Sequence, residues 1–501
     1  MPKRAAELTA RSQRRSLQTF HQLQFTNGRT LVVAWFTARL IVFLLWAVIT
    51  PGTQGDVLYY YEGITKMFHE GPQEAMREYP TPVLWLLAIP WLLGFGTSRG
   101  YVTCFVLLML FLDASFAYGL WRWGGRLRAH AVTYWIVFLM LCGPTAYLRF
   151  DLVTAVLAGW ALLLLARGRP GIAGGLAGIG AAVKLWPALL WPALCGGTRK
   201  QKWQATLGFW GTGGLLALGS LLWAGWPRLV SPLGWQSGRG LQVESIWATV
   251  PMLMRALGIG DYAVLISRFQ AFEVYGTGVR FWVAAADTSM VLGLLAITVG
   301  YLRWIIRGRG DHLEAAVLML LVVLVMIVTN KTFSPQYIIW LGGPMAAAFA
   351  MLAPRQRETI EYFVDRRRLW TTSVLLLAST GLTVLVYPLG YGALVRDSWP
   401  WLMQFLVTVV LVVRNVLMLV LTISVLQWMW AFLSPTALSA ASPSSPASAT
   451  PESTSNADTA AALASDTEAH NGPSPASELA GKISEGTANL NANAESNPDH
   501  R

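Results

Sequence analysis

Nine long apolar runs, separated by polar loops, limit the architectures that this chain can adopt. A membrane-spanning helix needs about 20 apolar residues, because the hydrocarbon core of a bilayer is about 30 Å thick. Such runs predict helices, since a backbone inside lipid must satisfy its own hydrogen bonds. Only 13% of the residues are charged, against about 25% in an average soluble domain, which excludes a soluble enzyme. The nine runs are 30–50, 100–121, 131–148, 205–225, 281–302, 313–329, 336–353, 369–390 and 400–432.

Shorter or interrupted apolar runs predict helices that cross the membrane only in part. They lie at 82–95, 152–166, 171–195 and 246–258. We therefore expect an all-α, polytopic membrane protein with about 11–13 membrane helices, some of them short or re-entrant.

Three regions follow from the composition: a basic cytoplasmic N terminus at 1–29, a transmembrane catalytic domain at 30–433, and a tail at 434–501. The tail carries eight acidic and two basic residues and is rich in Ala, Ser and Pro. Because it cannot bury a core, we expect it to be a disordered cytoplasmic segment.

The basic residues predict the orientation of the chain. The first 433 residues carry 36 basic and 18 acidic side chains, which indicates basic cytoplasmic loops rather than a nucleic-acid-binding surface. If all the dense basic clusters are cytoplasmic, 171–195 must form a re-entrant hairpin and 82–95 only a partial helix. The alternative, one full crossing at 171–195, would place 11 clustered basic residues outside and seven scattered ones inside. We favour the hairpin because dense clusters dominate orientation.

With the hairpin, the polar segments that are not simply basic all face the extracytoplasmic side. Irregular backbone at membrane depth is tolerated only where it lines a cavity or is buried in protein, so their convergence predicts a site on that side. These segments are 52–80, 149–151, 226–245, 330–337 and 391–400.

Asp56 follows the first span directly, in the first outer loop at 51–81. The apolar side chains of Tyr59, Tyr60, Ile64, Met67 and Phe68 recur at helical spacing. They predict an amphipathic helix over 57–69 that lies on the membrane. A carboxylate at this place could act as a base on an acceptor hydroxyl while a lipid-borne donor lies alongside. The alternative is that Asp56 only caps the helix.

Arg149, Asp151 and Lys184 are charges between apolar runs, where charged side chains are costly and are usually paired or functional. Arg149 and Asp151 either belong to a site or pair with each other in a tight turn. Lys184 needs a counter-charge, which a lipid phosphate, Asp151 or Glu244 could supply, unless its side chain extends to the surface.

Two outer polar segments carry groups suited to sugar hydroxyls and phosphate. Arg239, Gln242 and Glu244 lie on the first, and Lys331 and Gln336 lie on the second. Each segment alone could be an ordinary polar turn. Because the isolated histidines have no metal-ligand spacing and no nucleotide-binding motif is present, we expect neither a metal nor a cofactor.

Several motifs, in order, carry a resemblance to a known family. Asp56 in the first outer loop is followed by Tyr79-Pro80-Thr81-Pro82. The later motifs are Arg149-Phe150-Asp151-Leu152-Val153, Ala182-Val183-Lys184-Leu185-Trp186-Pro187, Gly240-Leu241-Gln242-Val243-Glu244-Ser245, and Asn330-Lys331 with Ser334-Pro335-Gln336-Tyr337. Over about 30–350 the chain resembles the GT-C superfamily of polyprenyl-phosphate-sugar-dependent glycosyltransferases. Within it, the chain resembles the actinobacterial mannosyltransferases and arabinofuranosyltransferases of glycosyltransferase family 87.

The resemblance implies an inverting transfer of a sugar, most simply mannose, from a polyprenyl-phosphate donor to a glycan or glycolipid of the cell envelope. It places this reaction at the extracytoplasmic face of the plasma membrane, with no cofactor and no nucleic acid. Asp56 matches the position of the family's catalytic carboxylate. The donor phosphate and sugar would be held by Lys184, Arg149, Asp151, Arg239, Gln242, Glu244, Lys331 and Gln336.

Other functions remain open on the sequence alone. An arabinofuranosyltransferase of the same superfamily would share these motifs. A transporter or lipid flippase would also have broken helices and charges at membrane depth, but no inverted repeat is visible and the polar groups lie on one face. A non-catalytic assembly factor would leave Asp56 dispensable.

Overall fold

The computed structural model describes residues 27–307 and 310–434 of the chain. The predicted disordered tail and most of the predicted cytoplasmic N terminus lie outside the described residues. The described part is almost entirely helical. Its α-helices are α1 (Gly28–Leu44), α2 (Gly55–Glu70), α3 (Pro82–Leu93), α4 (Ser98–Trp123), α5 (Arg128–Cys142), α6 (Asp151–Ala166), α7 (Pro170–Val183), α8 (Arg199–Ser237), α9 (Thr249–Ala256), α10 (Val279–Arg307), α11 (His312–Thr329), α12 (Ile339–Leu352), α13 (Ile360–Val384), α14 (Tyr391–Val395) and α15 (Trp401–Leu433).

Short irregular helices connect several of these elements. They include the 3-10 segments Pro51–Gln54, Gly143–Ala146, Trp186–Cys195 and Pro335–Ile338 and the π turns Leu45–Ile49 and Leu385–Leu389. A two-stranded antiparallel hairpin, β1 (Ala263–Ile266) and β2 (Phe272–Tyr275), pairs Ala263 with Tyr275. The apolar patterning of the sequence does not predict this hairpin.

Within the described residues, eight helices are long and apolar enough to cross a membrane, so the chain is a polytopic helical membrane protein. They are Gly28–Ile49, Ser98–Trp123, Gly125–Ala146, Arg199–Trp235, Val279–Arg307, His312–Thr329, Ile360–Leu389 and Trp401–Leu433. The run at 336–353, predicted as a ninth span, forms the 14-residue helix α12, in which every residue is buried. This helix is shorter than the eight, but it connects the polar segment at 330–334 with the basic loop at Arg355. Because it is apolar on all sides, it runs through the centre of the bundle rather than along the lipid.

The loops that carry basic clusters meet at one end of the bundle. Gly28, at the start of α1, lies against the ring of Trp121 near the end of α4. At this end Arg126 also donates to the carbonyl of Arg355, and Arg355 forms an ion pair with Asp311. The backbone of Gly197 lies close to Gly310. The polar segments at the opposite end form the site described below. This separation is the one that the hairpin topology predicted.

The hairpin predicted at 171–195 is confirmed by the packing of α7 on α8. Gly174 lies against the backbone of Ala205, and a Cβ on Gly178 would lie 2.7 Å from the carbonyl oxygen of Phe209. The contacts advance in the same direction along both helices, so α7 and α8 run parallel. The 3-10 segment Trp186–Cys195 must therefore return the chain to the end where α7 began. Lys184 lies at the turn of this hairpin.

The helix predicted at 57–69 is confirmed as α2, but its apolar face is buried against other helices of the protein rather than in lipid. Tyr60, Ile64 and Met67 are buried in the protein core, whereas Tyr59 and Phe68 are 42% and 45% exposed. The sequence pattern placed Tyr59 and Phe68 on the same apolar face. The buried face is narrower because α2 packs on α3 and α4.

Candidate active site

The polar segments surround a cavity of about 1270 Å³. Asp56, Arg149, Lys184, Arg239, Gln242, Lys331 and Gln336 line it, so the structure brings together seven of the residues that the sequence singled out. Asp151 and Glu244 are not among the lining residues. Each of them lies behind the wall and contacts a basic side chain.

Asp56 forms an ion pair with Arg149 across the cavity wall. Asp56 lies in the first turn of α2, but the N-cap position is Gln54 and the Asp56 side chain does not cap the helix. The Asp56 side chain is 31% exposed and that of Arg149 is 12% exposed. Arg149 Nη2 also lies 3.5 Å from the hydroxyl oxygen of Tyr387. Asp56 is therefore a carboxylate that faces the cavity beside a fixed positive charge.

Lys184 has Asp151 as its counter-charge, with 2.6 Å between Lys184 Nζ and Asp151 Oδ1. The same carboxylate oxygen accepts a hydrogen bond of 2.5 Å from Trp340 Nε1. Asp151 is 2% exposed, whereas the Lys184 side chain is 17% exposed and lines the cavity. Arg149 and Asp151 do not pair with each other, so the local turn-closing pair is not formed. Asp151 instead holds Lys184 in place from behind.

Stacked aromatic rings surround the Lys184 ammonium group. The ring centroids of Trp186 and Trp340 are 4.7 Å apart, and those of Tyr337 and Trp340 are 4.1 Å apart. Lys184 Nζ lies 5.0 Å from the Trp340 centroid. These rings favour a cation beside them through their electron-rich faces. They also give the cavity a flat, rigid wall on which a sugar ring could stack.

Gln242 joins the two outer polar segments to each other. Its backbone N–H donates to the carbonyl of Lys331 over 3.1 Å, and its side-chain oxygen accepts from the N–H of Phe333 over 3.1 Å. Lys331 Nζ lies 3.2 Å from Asp287 of α10. Neither segment is an ordinary surface turn, because both are fixed around the cavity by these bonds.

Glu244 lies in a buried position beside α15, away from the cavity. Its side chain is fully buried and lies 3.5 Å from the guanidinium group of Arg414. Burial raises the pKa of Glu244 to about 7, although Arg414 and Gln242 act in the opposite direction. The sequence could not distinguish a buried partner of this kind from a residue that faces a ligand, since Arg414 lies 170 positions away.

Several cavity residues were missed by the sequence analysis. The Tyr59 hydroxyl donates to Glu78 over 2.5 Å, and both line the cavity. Burial, with a further contribution from the Glu78 charge, raises the pKa of Tyr59, so the phenol stays protonated and acts as a donor. Arg268 and Phe269, at the tip of the β1–β2 hairpin, also line the cavity. This hairpin could not be predicted from the sequence pattern because its strands have only four residues each.

Chemically, the cavity combines Asp56 beside an arginine, a lysine set among aromatic rings, further cations, and two more carboxylates, Glu78 and Asp287. No group of three or more metal-ligating side chains comes together in the described residues. The arrangement suits a reaction in which a hydroxyl loses a proton near Asp56 while negative charge develops near the cations.

One comparison with known proteins bears on this site. A family model described as Glycosyltransferase family 87 matches residues 78–335. The matched region contains Arg149, Lys184, Arg239 and Lys331, while Asp56 precedes it. No curated protein sequence and no solved structure matches the chain.

Proposed function

Because the chain belongs to glycosyltransferase family 87, we propose that it transfers mannose from a polyprenyl-phosphate donor to a glycan or glycolipid of the cell envelope. The single observation that supports this most strongly is that Asp56 and Lys184, far apart in the sequence, line one cavity. A transfer from a lipid phosphate requires a base for the acceptor and cations for the leaving group, and this cavity offers both.

In the proposed reaction, Asp56 accepts the proton of the acceptor hydroxyl as the hydroxyl oxygen attacks the anomeric carbon. The bond between that carbon and the phosphate oxygen breaks, and its electron pair goes to the phosphate. The products are the new glycoside and polyprenyl phosphate with one additional negative charge. Attack opposite the leaving group inverts the anomeric configuration. One carboxylate suffices because the leaving phosphate needs no general acid, unlike the leaving group in glycoside hydrolysis.

The leaving phosphate needs positive charge rather than a general acid, because a phosphate monoester is stable as an anion. Arg149, Lys184, Arg239 and Lys331 line the cavity and could stabilise that developing charge. Arg149 contacts Asp56, so it can hold the base in place and shift towards the phosphate when the donor is bound. Gln242 and Gln336 offer amide groups for the sugar hydroxyls.

We place the cavity on the extracytoplasmic side of the plasma membrane. The support is the gathering of basic loops at the opposite end of the bundle, since basic loops are retained in the cytoplasm. A donor whose lipid chain stays in the bilayer could then present its sugar at the outer surface.

The proposal is tested by incubating the purified protein with labelled polyprenyl-phosphate mannose and an extract of envelope glycolipids. We expect label to appear in a glycolipid, and Asp56→Asn to abolish this transfer. Glu70→Gln, on the exposed last turn of the same helix, is the matched control and should retain activity. Full activity in a well-folded Asp56→Asn protein would refute the base assignment. Label moving only from polyprenyl-phosphate arabinose would overturn the assignment of mannose.

A further inference from the structure

A buried polar cluster lies where α15 packs against the loop that precedes α9. Arg414 and Asn415 are both completely buried in the middle of α15. Their positions lie outside the region 78–335 that the family model matches. Neither residue lines the cavity, and the proposed chemistry does not use either of them.

Arg414 contacts both outer polar segments at once. Its Nη2 donates to the backbone carbonyl of Glu244 over 2.9 Å and lies 3.5 Å from the Glu244 carboxylate. Its guanidinium carbon lies 4.1 Å from the ring centroid of Phe333. The next residue, Asn415, donates to the carbonyl of Ser245 over 3.2 Å. Arg414 therefore joins segment 240–245 to segment 331–337 on the side away from the cavity.

These two segments carry Gln242, Lys331 and Gln336 into the cavity. On the cavity side, among the described residues, the bonds from Gln242 to the backbone of Lys331 and Phe333 join them locally. A small displacement of either segment would move these side chains relative to Lys184. Misplacement of this kind, even far from the reacting atoms, reduces activity strongly.

Arg414 leaves several polar atoms without hydrogen bonds, which is unfavourable if the residue serves stability alone. Its Nε and Nη1 atoms and both carboxylate oxygens of Glu244 have no hydrogen-bond partner in the described structure. A buried ion pair with unsatisfied groups is often less stable than an apolar replacement. What arginine supplies here is a planar group that bonds and stacks at the same time, which lysine cannot do.

We propose that Arg414 is a positioning residue of the donor site, which fixes segments 240–245 and 331–337 relative to each other. The inference rests on the proposed function only in naming the donor as the ligand. The part of the inference that concerns structure, namely that Arg414 couples the two segments, does not depend on the reaction.

The test compares Arg414→Met and Arg414→Lys with a matched control, Arg39→Met. Arg39 is also a buried arginine, 2.8 Å from the buried carboxylate of Asp113, and it does not line the cavity. We expect Arg414→Met to raise the donor KM about tenfold or more, with Arg414→Lys intermediate. Arg39→Met should lower thermal stability and leave the donor KM of the folded fraction within about twofold.

Hydrogen exchange measured without donor tests the coupling itself. In Arg414→Met, the amides of Gln242 and Phe333 should exchange faster, while the same amides keep their protection in Arg39→Met. If Arg414→Met does not accumulate, Arg414→Lys decides the outcome. Unchanged donor KM and unchanged exchange in the Arg414 variants would overturn the inference. If Arg414→Met shows this faster exchange while the wild-type protein transfers nothing from polyprenyl-phosphate mannose, the proposed function is refuted and the positioning role stands.

Discussion

The pairing of Lys184 with Asp151 allows the binding role of the lysine to be separated from its structural role. The proposal assigns the donor phosphate to Lys184 and gives Asp151 the task of holding Lys184 in place. Asp151 is 2% exposed and lies 2.6 Å from Lys184 Nζ. Removing either charge leaves the other one buried and unpaired, which typically costs 3–5 kcal/mol.

The lower end of that range applies here, because the Lys184 side chain is 17% exposed and Asp151 keeps its bond from Trp340. We therefore expect Lys184→Met and Asp151→Asn each to reduce the free energy of unfolding by about 3 kcal/mol. In the double variant Asp151→Asn/Lys184→Met no charge is left unpaired. The loss should then be smaller than the sum of the two single losses by about 2 kcal/mol.

Activity should follow a different pattern from stability. Lys184→Met and the double variant should both lose about 10²–10³-fold in donor turnover, because a charge on the leaving phosphate is missing in both. Asp151→Asn should lose less turnover in the folded fraction than Lys184→Met, because the lysine keeps its charge and loses only the partner that positions it. The assays are chemical unfolding in detergent and transfer from labelled donor, measured on the same preparations. Recovery of activity together with stability in the double variant would refute a binding role for Lys184.

Three further outcomes follow from the structure. Trp340→Phe keeps the ring stack but removes the N–H bond to Asp151. It should therefore lower the free energy of unfolding by about 1.5–3 kcal/mol. Stability equal to that of the wild type would contradict that bond. Gly174→Val should prevent accumulation of folded protein, because a side chain there meets the backbone of Ala205. Gly214→Ala should be tolerated, because the space around Gly214 is open. Equal yields of the two variants would argue against the parallel packing of α7 and α8. Burial raises the pKa of Glu244 to about 7, so the unfolded chain releases this proton at a lower pH than the folded chain. The free energy of unfolding should therefore fall as the pH rises from about 4.5 to 7. Glu244→Gln should make the melting temperature nearly constant over that interval, and an unchanged slope would refute the shift.

The long helices were predictable from the sequence because the bilayer fixes the length of an apolar run. The re-entrant hairpin was also predictable, since the basic clusters around Arg167 and Arg199 cannot both remain cytoplasmic unless 171–195 turns back. Helix α12 connects the cavity end of the bundle with the basic end, but hydropathy could not show that protein rather than lipid surrounds it.

The site was predictable at the level of residue type but not at the level of partners. The sequence indicated that Lys184 needs a counter-charge and named Asp151 among three candidates. It could not show that Arg149 pairs with Asp56 rather than with Asp151, because that pair joins two distant segments. It also placed Glu244 in the donor set, although the side chain lies against Arg414. Pairings of this kind depend on tertiary packing, which a single sequence does not display.

The most direct test of the account asks whether the cavity residues share one chamber that opens away from the cytoplasm. Single-cysteine variants at Tyr59, Gln270 and Ser334 line that chamber, and Arg199→Cys lies at the basic end of the bundle. Labelling intact cells with a membrane-impermeant thiol reagent should modify the first three variants and should modify Arg199→Cys only after permeabilisation. Labelling of position 334 or 270 from the side opposite to position 59 would contradict the account.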